Sequence, residues 1–239
     1  MSRSWITAVS LATAILSSSC GGGGYGTSIA QPPPGNLSSA PGETALVSYL
    51  QTSHQYMLNE QPSGMYTLQF SSVPNAGTTM FNGMGPAYSV VETVTVDSNG
   101  MPVGGGTTTL YFLANPYAPL GAASTAGTPY GVVSATTPFP ATLNVGASGP
   151  VDTETLYHDA SMTTMDATVT VTYTVTANDS ATLLFCLDSS TSDVTAQGTA
   201  DGLQAASETD CYTVDAAGNA ALDSITVTVK GMPLKFVVG

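Results

Sequence analysis

The chain of 239 residues is 42% hydrophobic, enough to build a core, yet only 8% of it is charged, where a soluble domain averages about 25%. Arg3, Lys230 and Lys235 are its only cations against sixteen carboxylates, a formal net charge of −13. Such a chain repels phosphate backbones, which excludes nucleic acid as a partner, and beyond Arg3 it has no arginine to form a bidentate clamp for phosphorylated substrates.

In chain order, Met1 to Ser4 carries one positive charge, Trp5 to Leu16 is an apolar run, and Ser17, Ser18 and Ser19 follow. This order predicts a secretory signal peptide over 1–19. The run is too short to span a bilayer as a helix, which takes about 20 residues. Cys20 comes directly after it and precedes Gly21 to Gly24.

The stretch Leu16-Ser17-Ser18-Ser19-Cys20 resembles the lipobox of bacterial lipoproteins, with its Leu one place early. The resemblance implies that Cys20 becomes the mature N-terminus and carries acyl chains that hold the protein to a membrane. Gly21, where an Asp would signal retention, implies the outer membrane. The expected location is therefore the cell envelope, the expected membrane partner is reached through the lipid anchor, and no cofactor is expected. Residues 20–42, rich in Gly, Pro and Ser, form a flexible linker between anchor and domain.

Residues 43–59 predict the one helix, on the spacing of Leu46, Leu50, His54 and Met57, with Pro62 beyond its end. Everything after Pro62 reads as strand and turn. Tyr66, Leu68 and Phe70 alternate with polar residues, and Val90, Glu92, Val94 and Val96 share a face. Residues 167–177 place Ala167, Val169, Val171, Tyr173, Val175 and Ala177 on one face and five threonines on the other, and 225–229 repeats the pattern. Such alternation belongs to antiparallel strands with one buried face. Turn signals such as Asp97-Ser98-Asn99-Gly100 and Ala217-Gly218-Asn219 separate about ten or eleven strands. Pro233 predicts an edge strand, and 114–150 reads as long loops around one or two strands.

The fold class is therefore all-β, an antiparallel, hairpin-rich sandwich or partly open barrel with one N-terminal helix. The chain forms either one domain over 43–239 or two tandem modules, 43–140 and 141–239. The motif T-V-D-x-x-G at Thr95 and again at Thr213 is compatible with a repeat and equally with common hairpin chemistry.

No motif for a nucleophile elbow, a zinc protease or a phosphate loop occurs, so no catalytic residue is assigned. Cys186 and Cys211, left over once Cys20 is lipidated, are the expected disulfide in an oxidising compartment. His158, Met162 and Met165 lie close in sequence and offer imidazole and thioether donors that would suit Cu(I); His54 with Met57 is a second such pair. Asp188, Asp193, Asp201, Glu208 and Asp210 read as a solvated acidic loop. Tyr111, Tyr117, Tyr130 and Phe139 are the contact residues expected if 114–150 rims a pocket. Two functions stay open: a non-enzymatic binding or structural module of the envelope, or a secreted hydrolase with a site assembled from loops.

Overall fold

The structure, a computed structural model, describes residues 36–229 and 231–239. The signal segment, Cys20, the linker up to residue 35 and Lys230 lie outside these. Fifteen strands and two helices follow in chain order: β1 (Ser39–Pro41), α1 (Glu43–Leu50), β2 (His54–Gln61), β3 (Tyr66–Pro74), β4 (Thr79–Phe81), β5 (Met84–Ser98), β6 (Met101–Ala114), β7 (Tyr117–Ser124) and β8 (Tyr130–Thr136). Then come β9 (Thr142–Asn144), β10 (Ser148–Tyr157), β11 (Met165–Ala177), β12 (Thr182–Ser192), α2 (Ala196–Ala200), β13 (Ala206–Asp215), β14 (Ala220–Val229) and β15 (Met232–Val238).

Twelve of the strands form a closed antiparallel barrel in the order β3-β2-β15-β14-β13-β12-β11-β10-β8-β7-β6-β5, and β5 returns to pair with β3. Residues on both sides of 140 belong to this one sheet, through the pairing of β8 with β10 and of β15 with β2. Closure removes the free edges that an open sheet would expose. β4 folds back on β5 as a short flap, and β1 pairs with β9 apart from the barrel.

Alternation along each strand decides what fills the interior. From β13 the inward residues are Ala206, Glu208, Asp210, Tyr212 and Val214, and from β11 they are Ala167, Val169, Val171, Tyr173 and Val175. Outward positions carry hydroxyls, and across β10, β11 and β12 these pair as Thr153–Thr170 and Thr170–Ser190. A barrel of this strand number leaves room for a lumen, and here large side chains fill it. Tyr49 of α1 stacks on His54 and meets Tyr212 edge-on, and Phe139 packs between Tyr117 and Phe185.

The helix expected over 43–59 ends at Leu50, and 54–61 is a strand. His54, Tyr56, Leu58 and Glu60 alternate inward there, while Met57 points out and is 60% exposed. The step of four from Leu50 to His54 suited a helix, but β3 pairs with residues 54–59 and β15 with 58–61, which draws the segment into the sheet. β15 likewise has neighbours on both sides and is no edge strand. Pro233 fits because β2 pairs only from Lys235 onward, so the missing N–H falls where β14 alone is adjacent. The stretch 114–150 holds three whole strands and the start of a fourth, and its two turn-linked strands β7 and β8 are part of the barrel wall.

The two barrel ends differ. At one, α1 lies across the mouth. Gly42 and Glu43 donate backbone N–H groups to Ala141 and Pro140, the Glu43 carboxylate accepts from the Tyr117 N–H at 2.6 Å, and Leu37 donates to the Asp179 carbonyl. The chain thus enters the barrel at this end. The opposite end carries the β2–β3, β5–β6, β7–β8, β10–β11, β12–β13 and β14–β15 connections, with exposed Met65, Met101, Met162, Met165 and Met232 in or beside them.

Candidate functional site

The end away from α1 brings three ligating side chains together. His158 follows β10, Asp166 is the second residue of β11, and Asp201 ends α2. One nitrogen of His158 and one oxygen from each carboxylate lie within 4.8 Å of one another. His158 Nδ1 is 2.7 Å from Asp201 Oδ2. Gln197 Nε2 donates to both Asp201 oxygens at 3.1 Å and fixes the carboxylate plane.

Local chemistry positions all three. The Thr195 hydroxyl caps α2 by accepting from the Gly198 N–H at 3.0 Å and donates to the Met165 carbonyl at 2.9 Å, while the Thr195 N–H donates to the Asp166 carbonyl. This stitching docks α2 on the start of β11. Gly198 is essential to the fit, because a Cβ there would stand 2.3 Å from the Asp166 carbonyl oxygen. The turn bearing His158 is closed by its own N–H to the Thr164 carbonyl.

Charge is unbalanced in this cluster. Asp166 is fully buried, and among the described residues no hydrogen-bond donor reaches either of its oxygens. Its polar neighbours are His158 and Asp201. Burial, then the negative Asp201, push the Asp166 carboxyl up to about 6. Burial also works against the Asp201 charge, but hydrogen bonds from His158 and Gln197 outweigh it and hold that carboxyl below its usual range. The hydrogen bond to Asp201, aided by its charge, raises the His158 imidazole.

Of the residues singled out from sequence, His158 thus finds carboxylates as its neighbours, while Met162 and Met165 stand exposed in the same connection. The His158–Asp201 pair has the form of the base and orienting acid of a hydrolase. The serine nearest in sequence, Ser161, is engaged elsewhere, donating to Asp159 at 2.5 Å. His54 belongs to the aromatic packing under α1, where its Nε2 lies 3.1 Å from the Tyr49 carbonyl and burial lowers its pKa.

The acidic segment 188–210 is divided by the strands. Asp188 points outward and accepts from Thr209, Asp201 joins His158, and Glu208 and Asp210 are buried inside the barrel. The expectation of a solvated loop therefore fails for these last two, because they fall on inward positions of β13. Burial raises both, Glu208 to about 8 and Asp210 well above its ordinary value, and Glu92 on β5 adds repulsion. Seven of the carboxylates are buried: Glu60, Glu92, Asp152, Glu154, Asp166, Glu208 and Asp210. Lys235, the only Lys or Arg among the described residues, is exposed. Neutralisation of Glu208 and Asp210 therefore falls to protons.

Cys186 and Cys211 are directly opposed on β12 and β13 and form a disulfide with Cα atoms 4.1 Å apart. Tyr117 and Phe139 are core residues, whereas Tyr111 and Tyr130 stack on Phe81 of the flap, and the Tyr130 hydroxyl donates to Asn82 at 2.7 Å. No known protein family, curated protein or solved structure matches this chain.

Proposed function

We propose that the chain is an envelope lipoprotein, anchored through Cys20 to the outer membrane, whose barrel serves a non-enzymatic binding role at the end remote from the anchor. The observation that carries this reading is the polarity of the barrel. Leu37 and α1 bring the start of the described chain to one end, and the ligating cluster sits at the other, beside the longest connection between two strands, that from β12 to β13. Loops on a rigid scaffold are the usual seat of binding.

The outer face supports a barrel standing beside the bilayer. Membrane barrels turn an apolar band outward, whereas β11 presents Thr168, Thr170, Thr172, Thr174 and Thr176 outward. No helix among the described residues is long and apolar enough to cross a membrane. In this reading the lipid on Cys20 holds the protein to the membrane, and two acyl chains are the number that gives stable attachment.

Fractionation of cells expressing the full chain tests this. The wild type is expected in the membrane fraction, with a mass that places acyl groups on an N-terminal Cys20, and Cys20→Ala is expected in the soluble fraction. An unmodified Cys20, or full membrane retention of Cys20→Ala, overturns the reading.

A further inference from the structure

We infer that His158, Asp166 and Asp201 form a binding site for one divalent transition-metal ion of the Zn²⁺ class, a site independent of the lipid anchor. Asp166 carries the inference. A fully buried carboxyl whose two oxygens meet no donor among the described residues faces a second carboxylate, Asp201. Two carboxylates turned toward each other can share a proton only by neutralising one of them, and when both are ionised Asp166 is left with no donor. A dication satisfies all three groups at once, balancing two carboxylates and taking a lone pair from neutral imidazole.

The donor set selects the metal. One imidazole nitrogen and two carboxylate oxygens suit Zn²⁺, whose bonds to such donors are about 2.0–2.2 Å, and of the common divalent ions an N/O site favours it over Mn²⁺. Ca²⁺ asks for six to eight oxygens, more than this cluster offers. Cu(I) asks for soft donors, and the carboxylates are hard. Binding replaces the proton shared by His158 Nδ1 and Asp201 Oδ2, and that 2.7 Å pair opens by several tenths of an ångström to become two ligands of one ion.

The surroundings are those of a built site. Gln197 orients the Asp201 carboxylate from behind, as outer-shell groups orient metal ligands. Thr195 and Gly198 lock α2 against the backbone of Asp166. The His158 side chain is 43% exposed and Asp201 12%, which leaves a path for the ion and open coordination positions for water or a partner's donor.

The test is calorimetric titration of Zn²⁺ into the untagged, chelator-treated mature protein, with thermal unfolding in parallel. One equivalent is expected to bind saturably and raise the Tm, and Asp166→Asn and His158→Gln are each expected to weaken binding by more than about tenfold. In the metal-free protein at neutral pH, Asp166→Asn is expected to leave the Tm unchanged or higher, because it removes one of two facing negative charges. His158 is half-exposed, so His158→Gln folds and decides the matter if Asp166→Asn does not. Absence of saturable Zn²⁺ binding, binding unchanged in His158→Gln, or tighter binding of Ca²⁺ than of Zn²⁺ overturns the inference. A lower metal-free Tm in Asp166→Asn overturns it too, since a purely structural hydrogen-bond network would be what that variant breaks.

Discussion

Glu92 on β5 and Glu208 on β13 are both buried on inward positions of the barrel and repel each other, with Asp210 adjoining Glu208 on the same strand. Neither strand borders the other in the sheet, so the two carboxyls interact through the barrel interior and not along a strand pair. Tyr49 of α1 is buried near them, and burial, then Tyr56, then Glu92 and Asp210 keep its phenol protonated.

This arrangement predicts a barrel that is most stable in mild acid. Glu208 titrates near 8 in the fold and at 4.5 as an ordinary carboxyl. Its contribution is therefore complete below about pH 4.5 and is lost as pH rises through about 8, and Asp210 acts in the same sense. Asp159, Asp179, Asp201 and Asp215 are held low and act oppositely, but only below pH 4, and the one opposing group above that among the described residues is His54, lowered by burial from its ordinary 6.5. The Tm is expected to peak between about pH 4 and 5 and to fall steadily to pH 9. A Tm that rises from pH 5 to pH 8 contradicts this.

Glu208→Gln isolates the cause. The neutral amide resembles the protonated acid, so the variant is expected to gain on the order of 1–3 kcal/mol over the wild type at pH 8.5 and little or nothing at pH 4.5. Equal pH profiles for the two proteins, measured by urea unfolding, would assign the slope to other groups.

The disulfide closes a loop between residues 25 apart in sequence. In the chain-entropy view, opening it destabilises the protein by about 3 kcal/mol. The double variant Cys186→Ser/Cys211→Ser is expected to unfold at correspondingly lower urea and to be insensitive to dithiothreitol, while the wild type shifts toward it on reduction.

Gly198→Ala probes the docking of α2. The added Cβ meets a backbone carbonyl 2.3 Å away, so the helix or the start of β11 has to move. A loss of about 1–3 kcal/mol is expected, the ordinary cost of overpacking, with hydrogen exchange increased locally at Thr195 to Leu203. A neutral variant would show that α2 is not held against Asp166 as described.

Phe139→Ala probes the other end. Phe139 leaves the sheet after β8 to fill the interior between Tyr117 and Phe185, and its removal opens a cavity under α1. A cost of about 3–5 kcal/mol is expected, as for a large aromatic cut from a core. Equilibrium unfolding with an unchanged midpoint would mean that the mouth closes without it.

Much of the strand content was legible because side-chain direction in a strand is local. The alternation over 167–177 matches β11, and Tyr66, Leu68 and Phe70 match β3. The pairing of Cys186 with Cys211 followed from setting Cys20 aside. The buried carboxyls also left a trace: Glu92 stands in phase with Val90 and Val94, and Glu208 and Asp210 in phase with Tyr212 and Val214. Their phase, rather than their number between 188 and 210, was the informative signal. β2 was missed because spacings of three and four among Leu50, His54 and Met57 suit a helix, whereas its strand partners lie elsewhere in the chain.

What the sequence by itself determined, then, is the alternating strand, the hairpin turn and the excess of acid over base, each set by residues within a few positions of one another. What only the tertiary structure decided is closure and proximity. The seam between β3 and β5, the meeting of Glu92 with Glu208, and the convergence of His158, Asp166 and Asp201 all depend on which distant strands become neighbours and in what register. That choice is made by the burial of all the inward faces together, a non-local sum that no single segment carries.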